Sequence, residues 1–134
     1  MNKNNLRLID ANLNRLREGI RVIEDIFRYI YNDKKNASRL KQLRHKARID
    51  LNDDLLSSRD IRNDVLKKSI SSEQNREDLY SILIANFKRA QESARVLEEF
   101  TKLISVKDSE NFKYIRYELY DLEIVLTNIT SNSK

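Results

Sequence analysis

The sequence predicts an all-α protein, specifically an antiparallel four-helix bundle built from a duplicated helical hairpin, and three observations carry that prediction. The chain has no proline and a single glycine, so almost nothing punctuates strands or tight turns. Its apolar residues recur at alternating steps of three and four, the spacing of one helix face. It also contains itself twice: Asp10-Ala-Asn-Leu-Asn-Arg-Leu-Arg-Glu-Gly-Ile-Arg-Val-Ile-Glu-Asp25 is echoed by Ile84-Ala-Asn-Phe-Lys-Arg-Ala-Gln-Glu-Ser-Ala-Arg-Val-Leu-Glu-Glu99, with seven matches in sixteen positions. Roughly one match is expected by chance at ordinary compositions. The shared residues include Asn, Arg and Glu, which an amphipathic pattern alone does not need to repeat.

The first helix is predicted over about residues 5–32, with Leu13, Leu16, Ile20, Ile23, Phe27 and Ile30 on its apolar face. Asn32-Asp-Lys-Lys-Asn36 breaks it, and Asn36 is the expected cap of a second helix carrying Leu40, Leu43, Ala47, Leu51 and Leu55 to about residue 57. The stretch from Ser57 to Asn75 is irregular and polar, and reads as the connection between two halves. Asn75 with Asp78 opens the third helix, whose Phe87, Ala90, Ala94, Leu97 and Ile104 stand at the offsets of the first. Val106-Lys-Asp-Ser109 is the expected break before a fourth helix bearing Phe112, Ile115, Leu119, Leu122, Leu126 and Ile129. Lys113 and Arg116 answer Lys41 and Arg44, so the repeat covers a hairpin and not one helix. Hairpin one (about 5–57) and hairpin two (about 76–130) are expected to bury their apolar faces against each other with approximate internal two-fold symmetry, as one domain over residues 1–134.

At 134 residues the chain suits one domain with a single core. It has no cysteine, hence no disulfide or thiolate chemistry. No apolar run has signal-peptide or membrane-span length, so a soluble cytoplasmic protein without a membrane partner is expected. The formal net charge of +5, from 26 basic and 21 acidic residues, is compatible with phosphorylated ligands or nucleic acid. The single histidine, His45, excludes a site of several histidines.

Asn12, Arg15, Glu18, Arg21 and Glu24 are spaced by three, and each step turns the side chain back by about 60°. The ladder therefore winds around the helix: Asn12 falls in the apolar stripe, Glu24 flanks its other edge, and Glu18 and Arg21 point largely away. For Glu18 and Arg21 a helix-stabilising charge pattern and a ligand contact are both open. Asn12 and Asn86 project toward the core, where an amide needs partners; they either fix register between helices or enter a polar pocket. Gly19 and Ser93 hold equivalent positions, and their small size permits close approach of either another helix or a ligand, with packing the expected use. In the connection, Arg59-Asp-Ile-Arg-Asn-Asp64 offers Asp60 and Asp64 for magnesium and arginines for phosphate, or else a salt-bridged surface loop. His45, beside Arg44, is a phosphate donor, a general acid or a structural residue. No glycine-rich phosphate cradle is present, so any phosphate must be met by side chains and helix N-termini.

Arg7 to Asp25, Leu43-Arg-His45, Ser58-Arg-Asp60 with Asp64-Val65, Ala85 to Glu99 and Arg116-Tyr-Glu-Leu-Tyr120 resemble, in order and spacing, the helical domain often found in front of thiamine phosphate synthase. That domain is described as a second, non-homologous type of hydroxymethylpyrimidine phosphate kinase. The resemblance implies transfer of the γ-phosphoryl group of ATP to hydroxymethylpyrimidine monophosphate, with magnesium as cofactor. It further implies that Arg15, Arg59 and Arg89 bind phosphate, that Asp60 and Asp64 place the metal, and that Asn12, Asn86, Glu18 and Glu92 orient substrate or arginines. Arg44, His45 and Arg76 join the substrate-binding set. Where the family favours Arg-Asp-Thr followed by Asp-Val-Gly, this chain has Ile61 and Leu66. The product is then expected to reach a separate thiamine phosphate synthase by diffusion or docking, and the wide apolar faces make a homodimer an expectation. The competing readings are a non-catalytic module that binds a phosphorylated metabolite or a thiamine-pathway enzyme, a nucleic-acid-binding bundle, and a purely structural bundle. Tyr114, Tyr117 and Tyr120 drift around their helix and form no single stacking platform, so no nucleic-acid partner is expected.

Overall fold

The computed structural model describes residues 2–50, 52–70, 74 and 76–132. They are all-helical, with no strand among the described residues. Helix α1 spans Lys3–Asp25 and is opened by Asn2, whose side chain accepts from the Asn5 N–H. It runs on into one turn of π-helix at Ile26–Ile30, where the Tyr31 N–H reaches back to the Ile26 carbonyl. That turn corrects one expectation: the extra residue rotates Ile30 off the apolar stripe, leaving it 57% exposed. Tyr31 takes its place against the core and packs on Phe27 with ring centroids 5.2 Å apart.

The chain then reverses at Asn32, which adopts a left-handed φ of 53° that Asn tolerates better than most residues. Asp33, not Asn36, caps α2 (Lys34–Lys46); it accepts from both the Asn36 N–H and the Asn36 amide, so Asn36 stands one turn inside the helix. The second helix is also shorter than expected. The Arg17 Nε captures the Ala47 carbonyl at 2.6 Å, Ala47 and Ile49 are buried in a non-helical turn, and a separate α3 (Asn52–Ser58) follows. Leu51, expected on the same face, lies outside the described residues. Residues 59–70 are turns.

Helix α4 (Leu79–Phe100) begins with a capping box between Asp78 and Ser81, as the Asp78 expectation has it; Asn75 lies outside the described residues. A 3₁₀ turn at Thr101–Leu103 ends α4. The break falls at Ile104 and Ser105, earlier than Val106–Ser109, because the Ser105 hydroxyl accepts from the Asp108 N–H and starts α5 (Val106–Asn132) there. α1 and α4 form the most extensive contact; α2 and α3 lie against α1, α5 lies against α4, and α2 only grazes α5.

Of the other expected apolar residues, Ile104 and Ile129 are only partly buried, while Leu13, Leu16, Ile20, Ile23 and Phe27 of α1 meet Phe87, Ala90, Ala94 and Leu97 of α4 and Phe112, Ile115, Leu119, Leu122 and Leu126 of α5 in one core. Two ion pairs are sunk into the same structure. Arg44 grips Glu24 (Nε to Oε1 2.7 Å) between α2 and α1, and Arg116 grips Glu98 (Nη2 to Oε1 2.8 Å) between α5 and α4. Glu24 and Glu98 are equivalent in the repeat, and their side chains are 2% and 8% exposed, so each carboxylate needs its arginine partners: Arg44 for Glu24, and Arg116 together with Arg95 (3.0 Å) for Glu98.

Gly19 lies where α1 crosses α4. A Cβ added there would sit 3.2 Å from both the Ala90 Cβ and the Asn86 carbonyl, tighter than ordinary packing. Gly19→Leu should therefore lower unfolding stability by about 2–3 kcal/mol through overpacking. A urea midpoint equal to that of the unaltered chain would contradict this close crossing.

Candidate functional site

The site is assembled by the turn that follows α3. Arg59 reaches back to α1 and makes a two-pronged bridge to Asp10, Nε to Oδ2 and Nη2 to Oδ1, both at 2.8 Å. The Asp10 side chain is 8% exposed, and its bonds raise the Arg59 pKa above the usual arginine value. Arg7, one turn earlier on α1, donates from Nη2 to the Asp60 carbonyl at 2.9 Å. These contacts lay residues 59–64 over the N-terminal half of α1.

Within that turn, Asp60 accepts from the Asn63 side-chain amide (2.6 Å) and backbone N–H (3.2 Å). Those bonds, aided by the charge of Arg7, hold its pKa below the usual aspartate value. The Asp64 Oδ1 accepts from the Leu66 N–H at 3.0 Å. The result is a cleft of about 690 Å³ whose walls include Arg7, Asp10, Asn12, Arg15, Arg59, Asp60, Ile61 and Asp64. A second cleft of about 410 Å³ continues over the α1–α4 crossing; it shares Asn12 and Arg15 with the first and adds Lys88, Arg89, Glu92 and Ser93.

The charges in these joined clefts are not all equivalent. Arg59 is neutralised by Asp10, and Lys88 lies 3.3 Å from Glu123. Arg15 and Arg89 are exposed and have neither an ion-pair nor a hydrogen-bond partner among the described residues. Two unpaired guanidinium groups, one from each copy of the repeat, thus face one trough, where their planar forks suit phosphate oxygens.

Asn12, Arg15, Arg59, Asp60, Asp64, Arg89 and Glu92 are therefore brought together. The other candidates are not. Glu18, Arg44 and His45 line a separate cleft, which shares no wall residue with these two. Arg44 is committed to Glu24, which raises its pKa above the usual value. Asn86 is buried and its amide donates to the Ile82 carbonyl at 2.8 Å, just as the Asn12 amide donates to the Leu8 carbonyl at 2.9 Å. These bonds run within each helix and do not fix register between helices. Arg76 is exposed ahead of α4 and lines neither cleft.

Sequence reasoning missed Arg7, Asp10 and Lys88. Asp10 had left a signal: the second copy of the repeat has Ile84 there, so a carboxylate stands where the scaffold accepts an apolar side chain. Among the described residues, no group of three or more His, Cys, Asp or Glu side chains could hold a metal unaided. Asp60 and Asp64 stand on one cleft wall, and magnesium is commonly held by one or two carboxylates together with phosphate oxygens and water.

Comparison with known proteins places the chain. The sequence model of the ThiD2 family matches residues 7–125. The chain is 36% identical over 129 residues to a thiamine-phosphate synthase of a Nostoc species, covering 96% of this chain and 36% of that protein. It is 40% identical over 118 residues to one of a Synechocystis species (87% and 34%), and 35% identical over 138 residues to one of Rhodopirellula baltica (96% and 37%). The chain thus spans about a third of the length of these relatives. No solved structure is significantly similar to it.

If the Asp10–Arg59 bridge holds the turn in place, Asp10→Asn should speed amide hydrogen exchange at residues 59–66 by about tenfold, equivalent to roughly 1.4 kcal/mol for a half-exposed charged pair. Amides of α4 should be unaffected. Unchanged exchange in the turn would show that the bridge does not position it.

Proposed function

That this chain belongs to the ThiD2 family is the premise from which we propose that it is an ATP-dependent phosphotransferase acting on hydroxymethylpyrimidine monophosphate in thiamine biosynthesis. The observation that carries the reading is the pair of unpaired guanidiniums, Arg15 and Arg89, in one trough beside the Asp60–Asp64 turn. A kinase of this kind must gather two polyanions and hold them in line, and cations without internal partners are what that task requires.

In this mechanism Arg15 and Arg89 draw the acceptor phosphate and the nucleotide phosphates together across the α1–α4 crossing. Arg59 keeps its Nη1 for phosphate while Asp10 fixes the rest of its guanidinium. An acceptor phosphate oxygen attacks the γ-phosphorus, the bond to the bridging oxygen of ADP breaks, and ADP departs. The acceptor is a phosphate largely ionised at neutral pH, so no strong general base is needed. Asp60 and Asp64 would hold magnesium, which when bound shields the charge between phosphate groups. Asn12 and Glu92, on the shared walls, orient the substrate or the arginines.

The same reading takes the molecule as two copies of one hairpin, forming an antiparallel four-helix bundle about an approximate two-fold axis. Its support is that Glu24–Arg44 and Glu98–Arg116, and likewise the Asn12 and Asn86 bonds, recur at matching positions of the two halves. A second reading, a module that binds a phosphorylated metabolite without turnover, is favoured by one observation: Ile61, 72% exposed, lines the cleft where the family pattern has a hydroxyl.

A coupled assay with ATP, magnesium and hydroxymethylpyrimidine monophosphate separates the two. Turnover confined to the monophosphate, with the unphosphorylated pyrimidine as control, is the expected result. Thermal stabilisation by that ligand without turnover would select the binding module. Arg89→Ala should lower turnover by roughly 10²–10³-fold with the far-UV circular dichroism unchanged, and near-normal turnover would remove Arg89 from the site.

A further inference from the structure

The cleft between α1 and the end of α2 is the strongest feature that the phosphotransfer reading does not use. It measures about 610 Å³ and is walled by Arg17, Glu18, Arg21, Arg44, His45 and Arg48, four arginines and a histidine against one carboxylate. Two of the arginines are balanced from behind the wall, Arg21 by Asp25 (3.3 Å) and Arg44 by Glu24. Arg17 and Arg48 have no salt-bridge partner among the described residues.

Arg17 is also held in place. Its Nε is fixed on the Ala47 carbonyl, which leaves its two terminal nitrogens for a ligand, and burial together with the neighbouring charge of Arg48 lowers its pKa. Two like charges kept close on a well-packed turn oppose folding unless an anion joins them.

The scaffold does not demand this arrangement. At the positions in the second half that correspond to Arg17, His45 and Arg48, the chain has Gln91, Tyr117 and Tyr120. There Gln91 donates to Glu123 and Tyr120 accepts from Arg116. The cations of the first half are therefore an addition to the repeated fold. On the α1 wall Arg17 and Arg21 stand about 6 Å apart, one turn of helix, while across the cleft Arg44 lies in the last turn of α2 and Arg48 in the non-helical turn beyond it. With Arg21 and Arg44 already paired, Arg17 and Arg48 leave two open forks, which match two linked phosphate groups better than one.

We propose that this cleft is a second anion site, separate from the Arg15–Arg89 trough, that binds a small diphosphate-bearing molecule. The proposal does not rest on the kinase reading and is tested without turnover. Titration calorimetry with inorganic diphosphate, free of magnesium and nucleotide, would be run on the full chain carrying Arg15→Ala and Arg89→Ala, which empties the trough of its unpaired cations. One equivalent of diphosphate should still bind. Adding Arg48→Gln, at an exposed position with no ion-pair partner among the described residues, should weaken that binding at least tenfold, and Arg48→Glu should weaken it further. Absence of binding in the first variant with helicity intact, or no change on altering Arg48, would overturn the proposal. Capture of a poly-glutamate peptide in preference to diphosphate would overturn it too, and assign the cleft to an acidic protein segment.

Discussion

The close crossing of α1 and α4 is the constraint on which the rest of this molecule depends. Gly19 leaves no side chain between the helices, Ala90 faces it, and the Asn86 carbonyl closes the gap. Because Arg15 lies one turn before Gly19 and Arg89 lies beside Ala90, the same approach that seals the core sets the spacing of the two unpaired guanidiniums. Packing and charge are thus coupled by geometry: a looser crossing would widen the trough, and a bulkier residue at the crossing would push its two walls apart.

The duplicated polar residues divide into two kinds of work. Glu24 and Glu98 are buried counter-ions that tie each outer helix to its inner one, and breaking such a pair leaves a costly uncompensated charge. Asn12 and Asn86 satisfy their amides on their own helix. Arg15 and Arg89 have no ion-pair or hydrogen-bond partner among the described residues. In the proposed function those two are the residues left for a ligand, and the partners of each side chain are what separate them from the architectural ones. The features that differ between halves are as informative: Asp10 against Ile84 gives the loop its anchor in one half only, and Arg17 and Arg48 charge a cleft where the second half carries Gln91 and Tyr120 at the matching positions.

Much of the fold was legible because it rests on local patterns. The three-and-four spacing of Leu13 to Phe27 and of Phe112 to Leu126 identifies buried faces, and Asp78 announces a helix start. What was not legible depends on contacts distant in sequence. Ala47 continues the apolar period of α2, yet Arg17, 30 residues earlier, takes its carbonyl and ends the helix. A π turn is invisible to a period of 3.6, so Ile30 was expected inside. At the candidate site, Arg15 and Arg89 follow from the repeat and Asp10 leaves only the trace of its mismatch with Ile84, whereas Arg7 emerges only when the turn after α3 folds back on α1. Arg44 and His45, adjacent to each other, could not be assigned a face until α2 was seen to stop at Lys46.

In the proposed function, one guanidinium from each copy of the repeat acts on a shared phosphorylated ligand. A double-mutant cycle on Arg15→Ala and Arg89→Ala, read in kcat/KM for the pyrimidine monophosphate, tests it most directly. Two arginines serving the same transition state should be strongly coupled, with the double variant losing far less than the product of the two single losses. Losses that simply multiply would mean that the two side chains act independently, and would contradict a single site spanning the α1–α4 crossing.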